Sequence, residues 1–144
     1  MLTHWIWFTH RPGLTDRMKA VLMERFCDPE DLFYADGAAL REIPELTREA
    51  LEGLLDKNLT SSEEILESCD RKQLHILTYR DAAYPARLKN IPDPPMVLYY
   101  KGQLPEFDAC PTIGIVGTRK ASAYGLTAAK RLGYQIGKCG GIVV

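Results

Sequence analysis

An apolar, β-prone run, Ile113-Gly114-Ile115-Val116, meets Gly117 and passes through the polar turn Thr118-Arg119-Lys120 into a helical pattern that begins near Ser122. A strand, a tight turn and a helix in that order leave few folds open, because they set a helix N-terminus at the C-terminal edge of a strand. Such a junction holds unpaired backbone N–H groups and the positive end of a helix dipole, where a phosphate can sit. Arg119 and Lys120 add side-chain cations at the same spot. Two readings stay open on the residues alone: an anion site, or a structural βα turn with a solvated arginine.

The helix that follows should bury Gly125, Ala129, Leu132, Gly133 and Ile136, which share one face, while Lys130, Arg131 and Lys138 lie off it and reach water. Small residues on the buried face let a helix sit close on a sheet. Gly140-Gly141 ends the helix, and Ile142-Val143-Val144 starts a buried strand that a right-handed crossover would set parallel to Ile113–Val116. The glycines do not spell a dinucleotide fingerprint, since Gly114, Gly117 and Gly125 are spaced by three and then eight, and no Gly-Lys-Ser or Gly-Lys-Thr closes a Walker A loop.

Residues 1 to 70 read as a small helical domain. Thr15 or Asp16 caps a helix carrying Met18, Val21, Leu22 and Phe26, and Pro29 starts a short helix through Phe33. Leu40, Ile43, Leu46, Leu51, Leu54 and Leu55 continue the pattern, with Pro44 dividing it into two elements. Ser61 or Ser62 ahead of Glu63-Glu64 marks a further start. Trp5, Trp7 and Phe8 are read as core, because no Lys or Arg interleaves them. The Arg11-Pro12-Gly13-Leu14-Thr15 turn is similar to a helix-hairpin-helix turn but has Thr15 in place of the second glycine and acidic helices after it, so packing or partner docking is the favoured role.

The segment 56 to 73 is the boundary candidate, and residues 71 to 144 follow a different grammar. Leu74–Tyr79 and Met96–Tyr100 read as strands, and Ala82–Leu88 as a helical turn interrupted by Pro85. Tyr84, Tyr99 and Tyr100 are assigned to sheet packing, with at most one of the adjacent pair facing the core. The fold class expected is α+β: a small helical bundle, SAM-like or helix-hairpin-helix-like, over 1–70, then a β-α-β portion over 71–144. A partial sheet ending in a strand calls for pairing with another chain.

Charge divides the chain more sharply than its net −1 suggests. From Glu24 to Asp70 there are fourteen acids and four bases, whereas from Ala109 to Val144 there are five bases and no acid. A polyanion is repelled by the middle and drawn to the end. No apolar run reaches the length of a membrane span, and Trp5-Ile6-Trp7-Phe8 lacks a basic leader and cleavage site, so a cytoplasmic address is expected. Cys27, Cys69, Cys110 and Cys139 form no C-x-x-C pair and combine with no histidine into a metal-ligand spacing, so reduced thiols and no metal are expected.

The stretch Ile115-Val116-Gly117-Thr118-Arg119-Lys120-Ala121-Ser122-Ala123-Tyr124-Gly125 resembles the opening motif of the DNA-processing protein A family, the DprA or Smf proteins of bacterial transformation. Tyr84-Pro85-Ala86-Arg87-Leu88, Ile91-Pro92-Asp93-Pro94-Pro95 and Val97-Leu98-Tyr99-Tyr100-Lys101-Gly102 are similar to the same family's lead-in, in the same order. The resemblance implies an extended Rossmann-like fold, of which 71–144 would be the opening, truncated portion, and a single-stranded DNA binder that assists loading of a RecA-type recombinase in DNA uptake and recombination, without catalytic turnover or cofactor. It also implies a homo-oligomer as one possible assembly. Gly117, Thr118 and Arg119 carry over as phosphate-binding residues: close backbone approach, a hydroxyl donor and a planar cationic fork. Lys120 and Ser122 join them from position. The rival readings are a nucleotide-binding Rossmann enzyme, such as a nucleoside-monophosphate phosphoribohydrolase, and a protein-docking module built on the acidic helices.

Overall fold

The computed structural model describes residues Met1–Val144 and is α+β. It divides into two compact units, Met1–Tyr84 with Leu88–Gly102, and Pro85–Arg87 with Gln103–Val144.

The first unit holds six helices: α1 (Leu2–Thr9), α2 (Asp16–Arg25), α3 (Pro29–Tyr34), α4 (Gly37–Arg41), α5 (Arg48–Leu55) and α6 (Thr60–Arg71). Four of these helices, α2 to α5, have their starts fixed by side-chain caps. Thr15, Asp28, Asp36 and Thr47 accept from the backbone N–H of Met18, Glu30, Ala38 and Ala50, which satisfies donors that have no partner within a helix. Pro44 falls between α4 and α5, as its missing N–H requires. The start of α6 differs from the sequence expectation. Asn58 Oδ1 accepts from Thr60 N at 2.8 Å and begins the helix before Ser61, while Ser62 lies inside it and is buried.

The apolar run in α1 is the centre of this unit: Ile6, Trp7 and Phe8 are wholly buried. Trp7 Nε1 donates to the Asp56 carbonyl at 2.9 Å, so the indole's one polar atom is paired where the chain leaves α5. Arg11 is buried as well and donates to the Trp7 carbonyl, the Asp56 carbonyl and Asp56 Oδ2. The Arg11–Thr15 turn sits against α5, because a β-carbon on Gly13 would stand 2.7 Å from Ala50 N. That turn is therefore a packing element.

A two-stranded antiparallel hairpin, β1 (His75–Thr78) and β2 (Val97–Tyr100), completes the first unit, with Ile76 opposite Tyr99 and Leu77 opposite Leu98. Met96 is buried in the same core as Trp7 and Leu54, and Tyr79 and Val97 pack against that core. The change of grammar near residue 70 is thus a change of secondary structure, and the unit runs on to Gly102. Tyr84 is buried and donates to the Pro95 carbonyl at 2.7 Å. Burial pushes its phenol up to about 12. The helical turn α7 (Ala86–Lys89) follows.

The second unit contains β3 (Thr112–Ile113), α8 (Ala123–Lys138) and β4 (Ile142–Val143). β3 and β4 are parallel, Thr112 opposite Ile142 and Ile113 opposite Val143. The strand expected over Ile113–Val116 is shorter: its last ladder bond runs from Ile115 N to the Val144 carbonyl at 2.8 Å, and Val116 is 95% exposed. Gly140 turns the chain after α8 at φ +77. Leu132, expected on the buried face of α8, is exposed. Two short strands reach only part of that face, near Gly133 and Ile136, and leave Leu132 uncovered. Asp108 anchors the segment before β3 by accepting from Ala86 N at 2.7 Å and Arg87 N at 3.2 Å, and these two bonds hold its carboxyl below the usual range. The Arg87 guanidinium donates to the Cys110 and Asp108 carbonyls.

Candidate nucleic-acid interface

Beyond the last bond of the β3–β4 ladder, residues 116–121 form an exposed loop that ends on the N-cap of α8. Ser122 takes the cap position in extended conformation, and its Oγ accepts from Gly125 N at 3.1 Å. That bond satisfies one of the first-turn donors and leaves the N–H groups of Ala123 and Tyr124 directed out of the helix end. The first turn of α8 carries no acid, so the positive end of its dipole is uncompensated within the helix. Sixteen residues give that dipole a long run, whereas α7, with four, has little.

Contiguity brings Gly117, Thr118, Arg119, Lys120 and Ser122 onto this one loop, and all five are exposed. A β-carbon on Gly117 would meet no atom within 4 Å. Packing inside the chain does not demand glycine there, and the backbone stands open to an outside group. The six ion pairs of the chain all join groups between Met1 and Asp56, so neither Arg119 nor Lys120 is held by an acid. Unpaired cations keep their full charge for a partner.

Thr118 differs from its expected role as a donor. Its Oγ1 donates to the Lys120 carbonyl at 3.0 Å, which tightens the turn and commits the hydroxyl proton inside the chain. Ser122 has the opposite disposition, accepting through Oγ with its own proton free. Of the two hydroxyls, Ser122 is the one able to donate to an anion without breaking a bond.

Tyr124 was not among the residues singled out from the sequence. It is 84% exposed in the first turn of α8, beside the cap. The signal was its place off the apolar face that Gly125, Ala129 and Gly133 define, where a large ring has nothing to pack on. An exposed ring beside cations and free N–H groups can stack on a flat apolar group such as a base. Lys130, Arg131 and Lys138 are also exposed, and from Ala109 to Val144 no acid offsets them. The arrangement can hold an anion through backbone N–H groups, a guanidinium and an ammonium.

No three His, Cys, Asp or Glu side chains converge as a metal site. No helix is long and apolar enough to cross a membrane.

Residues 75–144 match the family described as DNA recombination-mediator protein A. Across 98% of its length the chain is similar to the protein Smf of Synechocystis sp., with 28% identity over 145 residues that make up 36% of that protein. It is also similar to the DNA processing protein DprA of Bacillus subtilis, with 34% identity over 80 residues, 56% of this chain and 27% of that one. The chain spans about a third or less of the length of these two relatives.

Proposed function

We propose, from the premise that residues 75–144 belong to the DNA recombination-mediator protein A family, that this chain is the front part of a DNA-processing protein that binds single-stranded DNA by its backbone phosphates. Its role in that reading is to take up single strands during DNA uptake and recombination and to assist a RecA-type recombinase onto them, in the cytoplasm and without chemical turnover. The observation that carries it is the pair Arg119 and Lys120, exposed and without ion-pair partners on the loop that leads into the Ser122 cap. Gly117, Arg119, Lys120 and Ser122 are the proposed phosphate contacts, with Thr118 contributing through its backbone while its hydroxyl holds the turn.

Recognition through phosphates is salt-sensitive and nearly blind to base sequence. Arg119→Ala is expected to weaken binding of a labelled single-stranded oligonucleotide roughly tenfold, the worth of a charge-assisted hydrogen bond. The slope of log K against log salt should fall by about 0.7 with it, as for one lost phosphate contact. Fluorescence anisotropy across a salt series reads both, and an Arg119→Ala curve lying on the wild-type curve removes Arg119 from the site.

A nucleotide-cleaving enzyme built on the same turn needs a free acid near the strand ends. From Ala109 to Val144 there is none, and Asp108, the last acid in the chain before β3, already accepts two backbone N–H bonds. This favours binding over catalysis.

A further inference from the structure

The open end of the β1–β2 hairpin carries chemistry that the Arg119 loop does not use. His75 and Tyr100 are directly opposite in the ladder, and their rings stack with centroids 5.0 Å apart and planes 29° apart. Beside them is an open cleft of about 550 Å³ lined by Asp70, Gln73, Leu74, His75, Lys101 and Gly102. Its volume falls in the range of small-molecule sites. His75 is exposed and Tyr100 half-buried, so the stacked pair is not closed over by the core.

Lys101 brings a cation to the cleft wall, and two more follow Asp70 in the chain. Arg71 and Lys72 lie between Asp70 and Gln73 in the chain and are exposed, as is Lys101. None of the three is in an ion pair, since all six pairs lie within Met1–Asp56. The lining thus sets Lys101 against Asp70, with Arg71 and Lys72 adjoining it in the chain, although the helices just before them are strongly acidic. Gln73 is held at the rim by a left-handed backbone, φ 54, and brings an amide that both donates and accepts.

A stacked aromatic pair with an open side, flanking cations and a few hydrogen-bonding groups match the three parts of a nucleotide. We propose that this cleft takes one unpaired nucleotide of single-stranded DNA, its base extending the His75–Tyr100 stack and its phosphate meeting Lys101, Arg71 and Lys72. The base edge then faces Asp70 and Gln73. The assignment rests on the single-stranded DNA reading and adds to it a second contact of a different kind, which grips the base where the Arg119 loop grips the backbone.

Two strands with the same number of phosphates, oligothymidylate and its abasic counterpart, separate stacking from charge. By anisotropy the wild-type chain is expected to bind oligothymidylate about tenfold tighter than the abasic strand. His75→Ala narrows that gap severalfold and leaves the abasic affinity unchanged, whereas Lys101→Gln weakens both strands alike. A gap untouched by His75→Ala overturns the proposal. Titration of the wild-type chain with thymidine 5′-monophosphate, followed on the ring protons of His75 and Tyr100 by NMR, is independent of any variant's folding. Movement of those resonances upholds the cleft, and rings that stay unmoved refute it. If neither strand binds but the His75 ring moves, the strand-binding reading fails while the nucleotide site stands; if nothing binds and nothing moves, both fall.

Discussion

At φ +74, with Ala50 N 2.7 Å from the place a β-carbon would take, Gly13 has no room for a side chain. Gly13→Ala should therefore cost about 2 kcal/mol of unfolding free energy, from backbone strain and a forced shift of α5 together, read from urea denaturation. His4 makes a second prediction at this scale. It is buried between α1 and α3, its ring 4.8 Å from Phe33, with neither nitrogen hydrogen-bonded and Nδ1 3.8 Å from Glu30 Oε2. Burial lowers its pKa, with Glu30 opposing and the N-terminal ammonium reinforcing. A pKa lower in the folded state means that the unfolded chain binds the proton first. Stability is then full above the ordinary histidine value, about 6.5, and falls as pH drops below it. His4→Phe should flatten that part of a stability–pH profile, and a profile unchanged in slope would show that the loss arises elsewhere.

Ser122 joins two elements, the loop and α8, through one bond to Gly125 N. Replacing it with alanine should cost the helix about 1 kcal/mol and fray its first turn, seen as faster amide exchange at Gly125 and Leu126. The element starts at Thr15, Pro29 and Ser122 were legible because a cap is a local event: one side chain and a donor two or three residues on decide it. The start of α6 was less so, since Asn58 and Ser61 are both competent and packing buried Ser62. The length of β3 depends on where the β4 ladder stops, which no local pattern records. Within the candidate site, the position of the loop could be read from the run into Gly117. The direction of the Thr118 hydroxyl could not, because it answers to a carbonyl two residues later. Tyr124 was passed over for a related reason: a ring on the polar face of a helix looks like ordinary surface until its exposure is known.

Taken whole, the two units differ in how much they bury. The first encloses Ile6, Trp7, Phe8, Leu22, Leu32, Leu40 and Leu54 completely, whereas no residue from Gln103 to Val144 is fully covered. Native-state hydrogen exchange should follow this division, with α1 amides protected close to the global limit and those of α8 exchanging far sooner. Equal protection in α1 and α8 would mean that the second unit is covered by something beyond its own residues. The placement of the β1–β2 hairpin on the helices has a practical corollary for anyone dissecting the chain. Severing it at residue 70, where the polypeptide's style changes, strips Met96, Val97 and Tyr79 from the cluster around Trp7 and lays that cluster open. Residues 1–102 are the shorter piece that should survive alone, while 1–70 should precipitate or melt early.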